Sequence, residues 1–333
     1  MSERLRLLIA ESSGFSAEAV RLLQEHYVVD RQDLDRTGLL HAVGNADVLW
    51  VRLRNMIDKE VMDAATDLRV IATNTTGLNH VDLGEAGRRG IRVASLKGEV
   101  DFLDSIRATA EHTIALTLAL LRRIPDAHQH ACDGHWDRRF FQGTEIHKKT
   151  VGIIGYGRLG RIVADYFEAF GAHVIVHSRD IPAGASIDGR QAVTLDELLQ
   201  QSDIISLHAS YEPANDRMIG AVQFECMKPA AVFVNTARGE LVDEEALVTV
   251  LREHRIAGAA LDVIRDEQQG HGAAAAIRDL AKQSSVLLTP HIGGNTRESL
   301  EKTEIFLAEQ LCAMAQADRL QLTSGCAEKD DTN

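Results

Sequence analysis

Gly155, Gly157 and Gly160 are spaced G-x-G-x-x-G, directly after the apolar run at 151–154. A helical pattern follows, with Ile162, Val163, Tyr166, Phe167 and Phe170 on one face and Gly171 at its end. A second apolar strand at 173–176 completes a β-α-β unit. The chemistry this arrangement supports is dinucleotide binding. Gly155 permits a tight turn, Gly157 lets the backbone approach a pyrophosphate, and Gly160 lets helix and strand pack closely. The helix N-terminus then offers N–H groups and the positive end of its dipole to phosphates.

Three later segments fall at or just past the C-terminal ends of expected strands, where ligands bind in open α/β sheets. They are NTARGE at 235–240, LDVIRDE at 261–267 and TPHIGG at 289–294. Between them they supply Arg238, Glu267 and His291. A fixed guanidinium clamps a carboxylate and polarises an adjacent carbonyl. A histidine exchanges the one proton that accompanies hydride transfer, and a glutamate on its other nitrogen fixes the tautomer. Beside a nicotinamide, that trio is what reduction of a 2-oxo acid requires.

The elements that must position these groups alternate strand and helix. Strands are expected at 5–10, 46–51, 70–73 and 91–94, with helices at 16–27, 39–43 and 61–65, so residues 1–97 read as a small α/β domain. A long Ala/Leu-rich helix at 107–124 ends at Pro125. Being apolar nearly all round, it is expected to be buried between domains or subunits. Residues 126–148, around Trp136, read as an arm or loop and Trp136 as an interface anchor. Six strands are centred near Val151, Val174, Ile204, Val232, Ala259 and Leu287, enough for a complete dinucleotide-binding sheet. A last helix spans 296–316, and the polar tail from Asp318 is expected to fray.

Composition narrows the class. A chain of 333 residues suggests two domains, and 45% hydrophobic with 26% charged residues is ordinary for a globular protein. The net charge of −13 argues against nucleic acid and anionic membranes as partners. No apolar run is long enough to span a membrane, and the start does not read as a signal peptide. Cys132, Cys226, Cys312 and Cys326 are scattered, which fits free thiols in a reducing cytosol. His128, His130, His135 and His147 lack paired ligand spacing, so no metal site is expected.

The motifs TTGLNHVD (75–82), ATAEHT (108–113), VGIIGYGRLG (151–160), NTARGELVDE (235–244), LDVIRDE and TPHIGG together resemble the D-isomer-specific 2-hydroxyacid dehydrogenase family. The match is best to its phosphoglycerate-dehydrogenase-like branch without a regulatory domain. The resemblance implies an α/β fold of two Rossmann-like doubly wound parallel-sheet domains with an active-site cleft between them. A substrate domain from 1–97 plus 298–333 would flank an inserted cofactor domain at 98–297. It implies a cytoplasmic NAD(P)-dependent oxidoreductase moving hydride between nicotinamide C4 and C2 of a D-2-hydroxy or 2-oxo acid. Arg238 would hold substrate, Glu267 orient the histidine and His291 act as acid/base.

Cofactor contacts would come from Thr109, Gly155, Gly157, Arg158, Leu159, Gly160, Ser178, Arg179, His208, Ala209, Thr236, Ala237, Asp262 and Gly293, with Asp262 on the carboxamide. Thr75, Thr76 and Gly77 form a strand-end turn able to hold a carboxylate, and Arg52, Leu53 and Arg54 occupy the other substrate loop. If Arg52 and Arg54 share a strand face, they suggest a dianionic, phospho- or phosphono-bearing substrate. NAD-preferring relatives carry an acidic residue where this chain has Ser178, followed by Arg179 and Asp180. Ser and Arg favour a 2′-phosphate, so NADP is expected ahead of NAD, although Asp180 could serve NAD. A homodimer is the expected assembly. The alternatives are a nucleotide-sensing, corepressor-like binder and a formate- or phosphite-type dehydrogenase. Glu267, where the formate version carries an amide, weighs against that one.

Overall fold

The computed structural model describes residues 4–265, 267, 272–283 and 285–327. The chain divides into two bodies, residues 1–105 with 296–333, and residues 106–295.

The first body is built on five parallel strands, β1 (Arg6–Ile9), β2 (Val28–Arg31), β3 (Val48–Val51), β4 (Val70–Thr73) and β5 (Arg92–Ser95), in the order β2-β1-β3-β4-β5. The sequences VLWV and VIAT are buried along their whole length, as strands covered on both faces must be. Alternate residues feed two apolar layers. Leu7, Ile9 and Trp50 pack with Leu307 and Leu311 of the last helix, while Leu8, Leu49 and Ile71 pack with Leu39 and Val61. β2 was not legible in the sequence, because this edge strand leaves three of its four residues exposed. The helices Leu83–Arg88 and Val100–Leu103 were also missed. The last helix runs Arg297–Ala327, past the expected end at 316.

Residues 98–105 and 296–297 belong to the first body, which corrects the boundaries read from the sequence. Phe102 stacks on Phe306 of the last helix at 3.9 Å, and Gln310 donates to Glu99 at 2.9 Å. These contacts anchor the segment there.

The second body carries β6 (Thr150–Ile154), β7 (His173–His177), β8 (Ser186–Ile187), β9 (Arg190–Ala192), β10 (Ile204–Leu207), β11 (Val232–Asn235), β12 (Gly258–Leu261) and β13 (Val286–Leu288). Their order is β13-β12-β11-β10-β6-β7-β9-β8, parallel except for β8 against β9. The six expected strands are present. The β8–β9 hairpin was missed because strands of two and three residues carry no periodicity. The chain leaves β6 for β7 on one side, and β10 flanks β6 on the other. That strand-order reversal makes a ligand crevice at the C-terminal ends of β6 and β10.

The apolar helix spans Ala108–Leu121, and much of its burial is met inside its own body. Ala110, Ile114 and Leu116 pack with Val163, Phe167, Val234 and Ala260. Pro125 does not end that helix. Arg123 turns the chain through the left-handed region (φ 52°), and Pro125 sits in the first turn of a new helix, Ile124–Cys132, where its missing N–H costs nothing. The 126–148 segment is therefore partly helical, with Trp136 93% exposed near its middle. No described helix is long and apolar enough to cross a membrane.

Candidate active site

The three fingerprint glycines are required for three different reasons. Gly155 adopts φ 92°, and a Cβ there would collide with the backbone of His208 and Ala209. A Cβ on Gly160 would strike the Gly155 carbonyl, so helix and strand could not approach. Gly157 faces open space and caps the helix Arg158–Ala169 without any side-chain hydrogen bond. With no side-chain cap, the helix end can serve an outside acceptor, and the cradle fits the pyrophosphate of a dinucleotide. Of the flanking residues, Arg158 donates to the Ile106 carbonyl at 3.0 Å and Leu159 packs against the apolar cluster.

His208 follows β10 beside Gly155. Ser206 Oγ meets its Nε2 at 2.8 Å, while Nδ1 is buried with no hydrogen-bond partner among the described residues. Burial pulls its pKa down to about 4, so the ring is neutral at pH 7. At the end of β7, Ser178 closes a short turn onto Ile181. Arg179, 73% exposed, is engaged by two carboxylates, Glu212 at 3.1 Å and Asp180 at 3.6 Å.

Arg238 leaves β11 on a loop stapled by Asn235, whose Nδ2 donates to the Arg238 carbonyl and whose Oδ1 accepts from Ala237 N, both at 2.9 Å. The guanidinium donates to the Ala237 carbonyl at 2.6 Å and pairs with no carboxylate among the described residues. Burial lowers its pKa, opposed by the charges of Glu240 and Glu267. A Cβ on Gly239 would collide with Ile264 and Arg265, so the Arg238 loop lies directly on the segment leading to Glu267.

His291 Nδ1 meets the Glu267 carboxylate at 2.9 Å. Its backbone is left-handed (φ 52°), a region histidine tolerates better than most residues. Asp262 holds that backbone. Its carbonyl accepts from His291 N at 2.8 Å, Oδ1 accepts from Thr289 Oγ1 at 2.6 Å and Ile292 N at 2.9 Å, and Oδ2 accepts from Gly293 N at 2.7 Å. Burial pushes the Asp262 carboxyl up, but these donors and His112 outweigh it and hold the carboxyl below its usual range. Asp262, 2% exposed, therefore organises the His291 loop, whatever it also offers a cofactor. Thr109 touches the same loop: a Cβ on Gly293 would stand 3.2 Å from its methyl and 3.0 Å from Asp262 Oδ2. Thr236 Oγ1 lies 2.8 Å from Thr113 Oγ1.

So the second body brings Arg238, Glu267, Asp262 and His291 together. Sequence reasoning missed His112, Thr113, Asn235 and Gly239 as supports. The spacing of Thr109, His112 and Thr113 on one helix was the available signal.

In the first body the substrate-loop arginines differ from expectation. β3 ends at Val51, so alternation along a strand does not place Arg52 and Arg54 on one face. Arg52 pairs with the fully buried Glu304, donates to the Ser13 carbonyl at 3.0 Å and lies over the Phe15 ring. Arg54 pairs with Asp33 at 2.8 Å, and its backbone N–H donates to Glu11. Leu53 is exposed between them. The Thr75 hydroxyl donates to the Gly77 carbonyl at 2.8 Å and tightens the 75–77 turn. Among the described residues no protein acceptor takes the N–H groups of Thr75, Thr76 and Gly77.

Residues 114–293, over half of the chain, match the family model described as D-isomer specific 2-hydroxyacid dehydrogenase, NAD binding domain. The chain is 38% identical over 278 residues to a D-3-phosphoglycerate dehydrogenase of Mycobacterium leprae, covering 83% of this chain and 51% of that one. It thus spans about half the length of the phosphoglycerate dehydrogenases it matches. It is 34% identical over 306 residues to a glyoxylate reductase of Thermococcus onnurineus, covering 88% of each. Among solved structures it is similar to a D-lactate dehydrogenase from Aquifex aeolicus complexed with NAD and lactic acid. That match has a TM-score of 0.79 at 26% identity, covering 96% of this chain and 98% of that one. The chain belongs to the D-isomer-specific 2-hydroxyacid dehydrogenase family.

Proposed function

We propose that the chain is an NAD(P)-dependent D-2-hydroxyacid dehydrogenase acting on a small 2-oxo or 2-hydroxy acid. The observation that carries the reading is the His291–Glu267 pair within the electrostatic reach of a half-buried Arg238 that forms no ion pair with a described carboxylate. Gly155, Gly157 and Gly160 would cradle the dinucleotide, with His208 and Ala209 bordering it. When bound, the cofactor supplies or accepts the hydride. Glu267 accepts the Nδ1 hydrogen of His291, which leaves Nε2 to give a proton to the substrate oxygen in reduction and take it back in oxidation. Arg238 stays protonated despite its burial and stabilises the charge that grows on that oxygen. The Thr75–Gly77 turn is suited to the substrate carboxylate.

The pairing of Arg52 and Arg54 weighs against a phosphate-bearing substrate, because each would have to leave a carboxylate. The Ser178–Arg179 pair favours NADP, moderated by Glu212. The exposed apolar side chains Ile124, Trp136 and Phe140 support a homodimer through the arm. The free thiols of Cys132, Cys226 and Cys312 support a cytosolic setting.

The test follows NADH and NADPH oxidation with glyoxylate, pyruvate, hydroxypyruvate and phosphohydroxypyruvate. Turnover of at least one acid, abolished in His291→Asn, is expected. Tight cofactor binding without turnover of any of them would refute the reading and leave a nucleotide-sensing protein.

A further inference from the structure

Thr109, His112 and Thr113 lie on one stripe of the helix Ala108–Leu121, at the i, i+3 and i+4 positions that stack on a helix face. Their hydrogen bonds have determinable directions. His112 Nε2 is 3.2 Å from Asp262 Oδ1 and 3.1 Å from Thr289 Oγ1. The Thr289 hydroxyl hydrogen is committed to Asp262 at 2.6 Å, so Nε2 carries a hydrogen and His112 is the donor to both oxygens. The Thr113 hydroxyl donates to the Thr109 carbonyl at 2.8 Å, so its contact with Thr236 is Thr236 donating. Through His112 the stripe reaches the loop that carries His291. Through Thr113 it reaches the loop that carries Arg238.

We propose that His112 is a positioning residue for the reaction, acting through Asp262 and Thr289 on the backbone of His291, with Thr113 playing the same part for Arg238. The inference rests on the reading of His291 as acid/base and Arg238 as substrate holder. The His291 backbone is left-handed, and Asp262 is its main anchor through one carbonyl and two carboxylate oxygens. Among the described residues His112 is the one side-chain donor to that carboxylate from outside the loop. Without it Oδ1 keeps only donors from the loop itself, and the Asp262 carboxylate that sets the loop is held less firmly, although its backbone stays tied to Asn235. Proton transfer is sensitive to such displacement, since misplacement by about 1 Å costs about 100-fold in rate.

The test compares His112→Leu, His112→Gln, Thr113→Val and His291→Asn by steady-state kinetics and thermal melting, using the best 2-oxo acid and cofactor. His112→Leu is expected to lower kcat about 10- to 100-fold while KM for the acid stays within about twofold. His112→Gln, whose amide N–H reaches a similar place, is expected to regain most of that loss. Thr113→Val is expected to raise KM for the acid several-fold with a smaller effect on kcat. A His112→Leu enzyme at wild-type kcat overturns the inference, and so does a His112→Gln enzyme as slow as His112→Leu when both melt with the wild type. If His112→Leu does not melt cooperatively, Thr289→Val takes its place, and wild-type kcat in that variant is equally fatal. His291→Asn at the wild-type rate would instead remove the underlying acid/base reading. An inactive His291→Asn beside an unaffected His112→Leu removes only this inference.

Discussion

Arg52 and Arg238 each follow the C-terminal end of a parallel strand, and they meet opposite surroundings. Arg52 sits over Phe15 with its charge matched by the buried Glu304, so the first body uses this arginine to tie its last helix to the β3 end. Arg238 is half-buried, and its head group hydrogen-bonds a carbonyl while Glu240 and Glu267 act on it only through space. A partly desolvated cation with no carboxylate in contact is costly, and a fold keeps such a group where an incoming anion completes it. Position at a strand end is therefore a weak guide to function. Whether the charge is already matched is a strong one.

The largest effect separating the two arginines is expected at Arg238. Arg238→Gln should lower kcat/KM about 100- to 1000-fold, by the size usual for a lost charge-stabilising donor, while the melting temperature stays close to wild type. Steady-state kinetics and calorimetry on one preparation check both halves. The reverse outcome, activity kept and stability lost, would make Arg238 another structural cation.

Arg52→Ala should do the opposite. It strands Glu304, whose carboxyl burial already pushes above its usual pKa, and is expected to cost about 2–3 kcal/mol in urea unfolding with KM for the acid unchanged. The double variant Arg52→Leu/Glu304→Leu should recover much of that loss. A raised KM at full stability would show that Arg52 holds substrate after all.

His208 gives a third, smaller contrast. Unfolded, it takes up a proton near its usual value of 6.5; folded, it does so only at about 4. Between those values the unfolded chain binds more protons, so stability should fall as pH drops from 6.5 toward 4. His208→Asn should flatten that part of the curve by on the order of 1–2 kcal/mol, read from urea midpoints across the range. An unchanged slope would mean that bound solvent satisfies Nδ1.

The smallest effect concerns Arg179, a matched charge on the surface. Glu212→Gln should raise the NADPH-to-NADH ratio of kcat/KM only about two- to fivefold, as fits an exposed pair, and Arg179→Ala should lower it. If neither variant moves the ratio, Arg179 is not a cofactor contact.

Much of this was legible in the sequence. Val151–Ile154 could be read as strand because buried parallel strands are continuously apolar, and Gly155, Gly157 and Gly160 because each answers a separate steric demand. Arg238, Glu267 and His291 could be singled out because three strand-end segments carry complementary groups within motifs that resemble one family. What could not be read depends on partners distant in the chain. Nothing near Arg52 announces Glu304, and the helical spacing of Thr109, His112 and Thr113 marks a polar stripe without announcing that its partner would be Asp262. The exposed edge strand β2 and the short β8–β9 hairpin lacked any apolar rhythm. Pro125 misled because the same residue that breaks a helix interior is welcome in a first turn.

Gly239 has a practical consequence for mutational surveys. Its missing side chain lets two loops lie backbone to backbone, so every substitution there should wedge Ile264 away and drag Glu267 with it. A deep scan scored on turnover alone would rank this position with the acid/base residues, although it carries no functional group at all.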